Sequence, residues 1–108
     1  MSKYHLGEFE EVVMLTVAIL NGKAYRLSIV NEIENRLSRS VSMGSLQVVL
    51  KRLEEKGYLK SELGEATKMR GGKKKRYFAI TSTGKSILEE TKEKRLQLWS
   101  AIPDVGLS

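Results

Sequence analysis

The hydrophobic positions divide the chain into four helical segments and one pair of strands. Between Ser42 and Gly57 the apolar residues recur at spacings of three and four, which predicts an amphipathic helix over Met43–Lys56. Ser42 is placed to cap this helix and Gly57 to end it. Tyr58–Leu63 alternates between apolar and polar residues as a half-exposed strand does, and Arg76–Ile80 is its expected partner.

Three further helices complete the predicted order. We expect a first helix over Glu8–Asn21, a second over Tyr25–Leu37 and a last one from Ser82 to about Ala101, capped by Thr81. The first helix is apolar around most of its circumference, so it needs cover on two sides. We expect its own domain to supply one side and a second copy of the chain to supply the other.

The predicted fold class is mainly α with a two-stranded β-hairpin, in the order α-α-α-β-β-α. Residues 1–108 are expected to form one domain, since the length is that of a single domain, with residues 82–102 as a closing helix that dimerises. A capped helix followed by a basic hairpin is typical of a winged helix-turn-helix. This pattern indicates a DNA-binding regulator.

Composition removes several alternatives. The chain has no cysteine and a single histidine, His5, so a metal site is not expected. The longest apolar run, Val12–Leu20, is too short to span a bilayer, and no secretory signal is recognised, so we expect a cytoplasmic protein without a membrane segment. The glutamates are not accompanied by a pair of residues that could act as nucleophile and general base, so we expect neither an enzyme nor a cofactor.

Positive charge is concentrated in one segment. The formal net charge is +6. Ten bases but only four acids lie between Lys51 and Arg76, so this segment alone accounts for the excess. Such a concentration attracts a polyanion. A solvated lysine-rich loop is the alternative. We favour DNA binding because the basic residues follow a capped helix and lie in a hairpin.

Two groups of residues are predicted to contact DNA. The base-facing and groove-edge group is Ser42, Gly44, Ser45, Gln47, Val48, Lys51 and Arg52. The wing group is Lys68, Arg70, Lys73, Lys74, Lys75 and Arg76. Gln47 suits an adenine edge and Val48 a thymine methyl group. The alternatives are that Ser42 only caps, that Val48 is buried between helices, and that Arg52 packs against Glu54 or Glu55.

The motifs resemble those of the PadR family of bacterial transcriptional regulators, over nearly the whole chain. They are Ala24-Tyr25, the segment Gly44–Gly57 with its Leu-x-x-x-Leu-Lys-Arg-Leu-Glu-Glu-Lys-Gly pattern, Gly71-Gly72-Lys73, and Tyr77–Gly84. Gln47-Val48 stands where many members have Tyr-Pro, so an operator sequence cannot be carried over from the family.

The resemblance implies a homodimer in which the first and last helices of two chains interlock. Each copy then places its third helix in a major groove of an inverted-repeat operator and its wing along the backbone or minor groove. Most members are repressors, and some are released by small aromatic or cationic compounds. Trp99 therefore either stacks a flat ligand or packs in the dimer core. The competing hypothesis is a protein-interaction module whose basic wing binds nucleic acid non-specifically.

Overall fold

The computed structural model describes residues 5–64 and 74–104, and these residues form four helices and a two-stranded antiparallel hairpin. In chain order the elements are α1 (Glu8–Leu20), α2 (Arg26–Leu37), α3 (Met43–Glu55), β1 (Leu59–Leu63), β2 (Arg76–Ile80) and α4 (Ser82–Ser100). The predicted fold class and the order α-α-α-β-β-α are therefore confirmed.

The predicted helix boundaries differ from the observed ones by one residue, because the displaced residues are caps. Asn21 is the C-cap of α1 in a left-handed conformation with a φ of 38°, and Lys56 is the C-cap of α3. Tyr25 precedes α2 as an extended N-cap. Strand β1 begins one residue later than predicted, because the Tyr58 N–H donates to the Leu53 carbonyl at the end of α3 (2.9 Å). These cap residues lie at the ends of the helices, where the backbone hydrogen bonding is incomplete, so the boundary of an element shifts readily by one residue.

One hydrophobic core lies between α1, α2, α3 and the hairpin. Its members include Val13, Met14 and Val17 of α1, Ile29 and Ile33 of α2, and Leu46, Val49, Leu50 and Leu53 of α3. The four α3 residues share one side of the helix, as the apolar spacing of three and four requires. The opposite side of α3 is consequently presented to solvent.

Hydrogen bonds of Thr81 join the start of α4 to the segment that follows α3. The Thr81 hydroxyl accepts from the Gly84 N–H (3.0 Å) and donates to the Gly57 carbonyl (2.6 Å). The Thr81 N–H donates to the Tyr58 carbonyl (3.1 Å). Gly84 lies so close to that carbonyl that a Cβ at this position would be 2.2 Å from its oxygen. The Thr-x-x-Gly spacing is therefore required by the contact between α4 and the hairpin.

Two ion pairs fasten α1 to the flanks of α3. Glu10 is 7% exposed and accepts from Lys56 (2.9 Å) and from the Gly7 N–H (2.9 Å). Burial alone would raise the pKa of Glu10, but these hydrogen bonds and the Lys56 charge outweigh it, so the pKa lies below its ordinary value. Glu8 accepts two bonds from Arg39, in the turn before α3, and these lower the pKa of Glu8. Both ends of α3 are thus held against α1.

The second half of α4 extends beyond the other described elements. Gly84 and Ile87 near its start are buried, whereas every residue from 92 to 100 is exposed. Three large apolar side chains in that stretch are more than half exposed: Leu96, Leu98 and Trp99. The molecule measures 61 × 29 × 22 Å, and its radius of gyration of 16.4 Å exceeds the roughly 13 Å of a compact chain this long. Half of a long helix is therefore left uncovered by the described residues of one chain.

Candidate nucleic-acid interface

The outer side of α3 carries the predicted base-facing group. All of its members are exposed: Ser42, Gly44, Ser45, Gln47, Val48, Lys51 and Arg52. The Ser42 hydroxyl accepts from the Ser45 N–H (3.1 Å), which confirms its capping role. Val48 is 58% exposed, so the alternative in which it is buried between two helices is wrong. Within two turns, this side of α3 offers an amide, an apolar side chain and a positively charged side chain.

Two consecutive hydrogen bonds connect α3 to the two strands of the wing. Arg76 donates to the Ser61 hydroxyl (3.1 Å), and that hydroxyl donates to Glu54 (2.9 Å). Within residues 5–64 and 74–104, Arg52 forms no ion pair with Glu54 or Glu55, and Glu54 is bonded by Ser61. The connection through Ser61 instead sets the wing's position relative to α3.

The described part of the wing is attached to the segment before α2. The Phe78 N–H donates to the Ala24 carbonyl (2.8 Å), which adds a one-residue bridge to the hairpin. The Lys75 ammonium lies 4.2 Å from the centre of the Tyr25 ring, which meets Tyr77 edge-on at 5.7 Å. The described wing bases are all exposed: Lys74, Lys75 and Arg76. The other predicted wing bases lie outside the described residues: Lys68, Arg70 and Lys73.

A recess of about 310 Å³ between α2, α3 and β2 brings the two groups together. Its polar lining is formed by Arg26, Gln47, Lys51, Glu54 and Arg76. Three of these side chains are bases and one is an acid, so the recess is electropositive. Arg26 donates from Nη1 to Gln47 Oε1 (2.5 Å). Arg26 is absent from the predicted groups, because nothing in the local sequence pattern reveals how α2 crosses α3. The only signal for it in the sequence is a basic residue at the start of the helix that precedes α3.

A second concavity, of about 430 Å³, lies between α1 and α4, away from the wing. Leu15, Leu88, Leu96 and Trp99 give it an apolar surface. Its charged lining residues are Glu11, Lys85, Glu89, Lys92 and Arg95. Arg95 is paired with Glu11 across the two helices (2.9 Å). Trp99 is 62% exposed, so within a single chain it belongs to an open surface rather than to the core.

Helices α2 and α3 joined by a short turn, with a basic hairpin beside the exposed side of α3, define the winged helix-turn-helix class of DNA-binding domains. None of the described helices is both long and apolar enough to cross a membrane. Residues 14–90, which are most of the chain, match the model of the Transcriptional regulator PadR-like family. The chain belongs to this family, whose members are transcription factors and not enzymes.

Solved structures agree with this assignment. A PadR-like transcription factor from Bacteroides fragilis is 27% identical, with a TM-score of 0.72 over 85% of this chain and 84% of that one. A PadR family transcription regulator from a hypervirulent Clostridium difficile is 26% identical, with a TM-score of 0.68 over 85% of this chain and 92% of that one. A PadR-like regulator from Bacillus cereus, at 20% identity and a TM-score of 0.72 over 93% and 92%, shows the shared fold. No curated protein matches the sequence significantly.

Proposed function

We propose that this chain is a homodimeric, sequence-specific repressor that acts in the cytoplasm on an inverted-repeat operator. The observation that carries the proposal is the exposed side of α3, which lies beside a basic wing and is left uncovered by the described residues. A recognition helix presents its N-terminal half to base edges in the major groove. Gln47 and Val48 lie in that half. Lys51 and the Lys and Arg side chains of the wing flank it and reach phosphates. Phosphate contacts position the domain, and the base contacts select the sequence.

The apolar surface on α1 and α4 supports the homodimer. Leu15 and Ile19 on α1 are nearly half exposed, and Leu96 and Trp99 on α4 are more than half exposed. A contiguous apolar surface of this kind in a small domain marks an association site. A second copy covers the projecting half of α4 and supplies the second recognition helix, because two-fold symmetry of the protein matches a palindromic site.

The competing hypothesis gives the same surface to a different protein. In that hypothesis the chain is an interaction module and the wing binds nucleic acid without sequence preference. The oligomeric state separates the two, since a stable homodimer uses this surface on itself. We favour the homodimer because α3 is also left exposed, and an interaction module bound through α1 has no use for that second surface.

The salt dependence of DNA binding tests the wing. Replacing Lys74 and Lys75 with alanine is expected to weaken binding to every duplex alike, because these side chains meet phosphates. The slope of log affinity against log salt should become shallower by about 0.9 for each phosphate that is no longer neutralised. Arg36→Ala, which removes a positive charge from α2 outside both the wing and the proposed dimer interface, should leave the slope unchanged. Equal slopes for the wing variant and the wild type would contradict the proposed role.

The concavity beside Trp99 supports a second element of the proposal, release by a small flat ligand. It combines an aromatic ring and leucines with Glu89, a carboxylate at its edge. A flat cationic compound is expected to quench the fluorescence of Trp99, which is the only tryptophan. Glu89→Gln should weaken quenching by the cation while leaving a neutral compound of the same shape unaffected. Unquenched emission with both compounds would restrict Trp99 to packing in the dimer.

A further inference from the structure

The contact between Arg26 and Gln47 joins two helices at the surface proposed to read DNA. Arg26 is the first residue of α2 and Gln47 is the fifth residue of α3. The Nη1 group of Arg26 donates to Oε1 of Gln47 at 2.5 Å, and both residues are exposed. Gln47 is therefore held by a neighbour on another helix rather than left free to rotate.

Arg26 keeps its positive charge available at this surface. Three other arginines are neutralised by carboxylates: Arg36 by Glu32, Arg39 by Glu8 and Arg95 by Glu11. Among the described residues, Arg26 has no carboxylate within ion-pair distance, and the group that it bonds is a neutral amide. A guanidinium beside Oε1 also polarises the amide, which strengthens its NH₂ group as a donor.

The chemistry of the carboxamide determines which base it reads. Glutamine offers an acceptor, Oε1, and a donor, the NH₂ group on Nε2. Bidentate reading of adenine uses both, with NH₂ donating to N7 and Oε1 accepting from N6. The Arg26 donor takes one of the two lone pairs of Oε1 and turns that oxygen towards α2, so the NH₂ group is the end of the amide that is left to face a base. Guanine presents two acceptors in the major groove, N7 and O6, and so matches a group that only donates.

We propose that Arg26 is a positioning residue that turns the Gln47 carboxamide so that its donor end faces the base and selects guanine instead of adenine. This inference rests on the proposed function, because it requires α3 to enter the major groove. It differs from the reading expected for an unrestrained glutamine. Arg26 itself need not touch a base, since it acts through the amide of Gln47.

Selection of duplexes from a randomised pool tests the proposal. The wild type is expected to select guanine at one position of each half-site. Arg26→Met keeps the length of the side chain but removes the donor, and it should shift that position towards adenine. Gln47→Ala should abolish the preference there, and the double variant should behave as Gln47→Ala does. Affinities measured on the selected duplex and its base-substituted form should differ by roughly fivefold to a hundredfold for the wild type, the range of one bidentate contact.

Matched controls separate positioning from charge and folding. Arg36→Met removes the same charge from the exposed end of α2 and should leave the selected base unchanged. Arg26→Lys retains the charge and a donor, and it should partly restore guanine. Circular dichroism shows whether each variant is folded as the wild type is.

Each failure has its own signature. If Arg26→Met selects the same base with uniformly weaker affinity, Arg26 is a phosphate contact and the positioning role is wrong. If Gln47→Ala keeps the wild-type preference, Gln47 reads no base and the inference fails while DNA binding stands. If the wild type enriches no sequence at all, the proposed function fails together with the inference.

Discussion

Replacing Gly84 with alanine is expected to destabilise the folded chain by about 3 kcal/mol or more, which is a large fraction of the stability of a small domain. The added Cβ would lie 2.2 Å from the Tyr58 carbonyl oxygen, and this neighbour is backbone that cannot rotate away. Relief requires α4 to move from the hairpin, which breaks the bond from the Thr81 N–H to the same carbonyl. Urea unfolding followed by circular dichroism measures the decrease in stability.

Gly44→Ala is the matched control for this prediction. Gly44 is also a helical glycine, but a Cβ there would meet no described atom within 4 Å. Alanine favours a helix over glycine by about 1 kcal/mol, so this variant should be slightly more stable than the wild type in the absence of DNA. If Gly84→Ala unfolded at the same urea concentration as the wild type, α4 would not depend on the contact with Tyr58.

Placing charge on the apolar surface of α1 and α4 is expected to separate the dimer and to lower operator affinity by about a hundredfold or more. Leu15→Glu with Leu96→Glu would bury two unpaired carboxylates in the proposed interface, which is strongly unfavourable. A monomer can hold only one half-site, so it forgoes the gain that comes from linking two sites. Analytical ultracentrifugation measures the mass, and titration of full and half operators measures the change in affinity.

Two equally exposed leucines elsewhere provide the control for the oligomeric state. Leu37→Glu with Leu63→Glu adds the same charge outside the proposed interface and should leave the mass unchanged. A double variant of Leu15 and Leu96 that remained dimeric would place the interface on another surface. A wild-type chain that is monomeric at micromolar concentration would favour the protein-interaction module.

The helices and strands could be predicted because their signals are local. The N-cap of α3 is a serine followed three residues later by the amide it bonds, and the buried side of α3 follows from the spacing of Leu46, Val49 and Leu53. Errors were confined to single residues at the ends of elements, such as Asn21 and Lys56, which cap a helix rather than belong to it, and Tyr58, which precedes β1.

The contacts that arrange the site could not be predicted in the same way. Arg26 and Gln47 are 21 residues apart, and Glu10 and Lys56 are 46 apart. Each pair depends on how two helices cross, and no periodicity along one helix specifies that angle. For the same reason the sequence left Val48 open between a buried and an exposed position, and only the packed helices show that it is 58% exposed.

Sequence-specific DNA binding by a dimer is the property on which the proposed function depends. It is tested by titrating the purified chain into labelled DNA from the region upstream of its own coding sequence, at two salt concentrations and against random competitor. We expect two chains per inverted repeat, with binding that survives the competitor and weakens steeply as salt rises. Weak binding that any DNA removes equally well would refute the proposed function, and would leave only a basic surface on a protein that serves another partner.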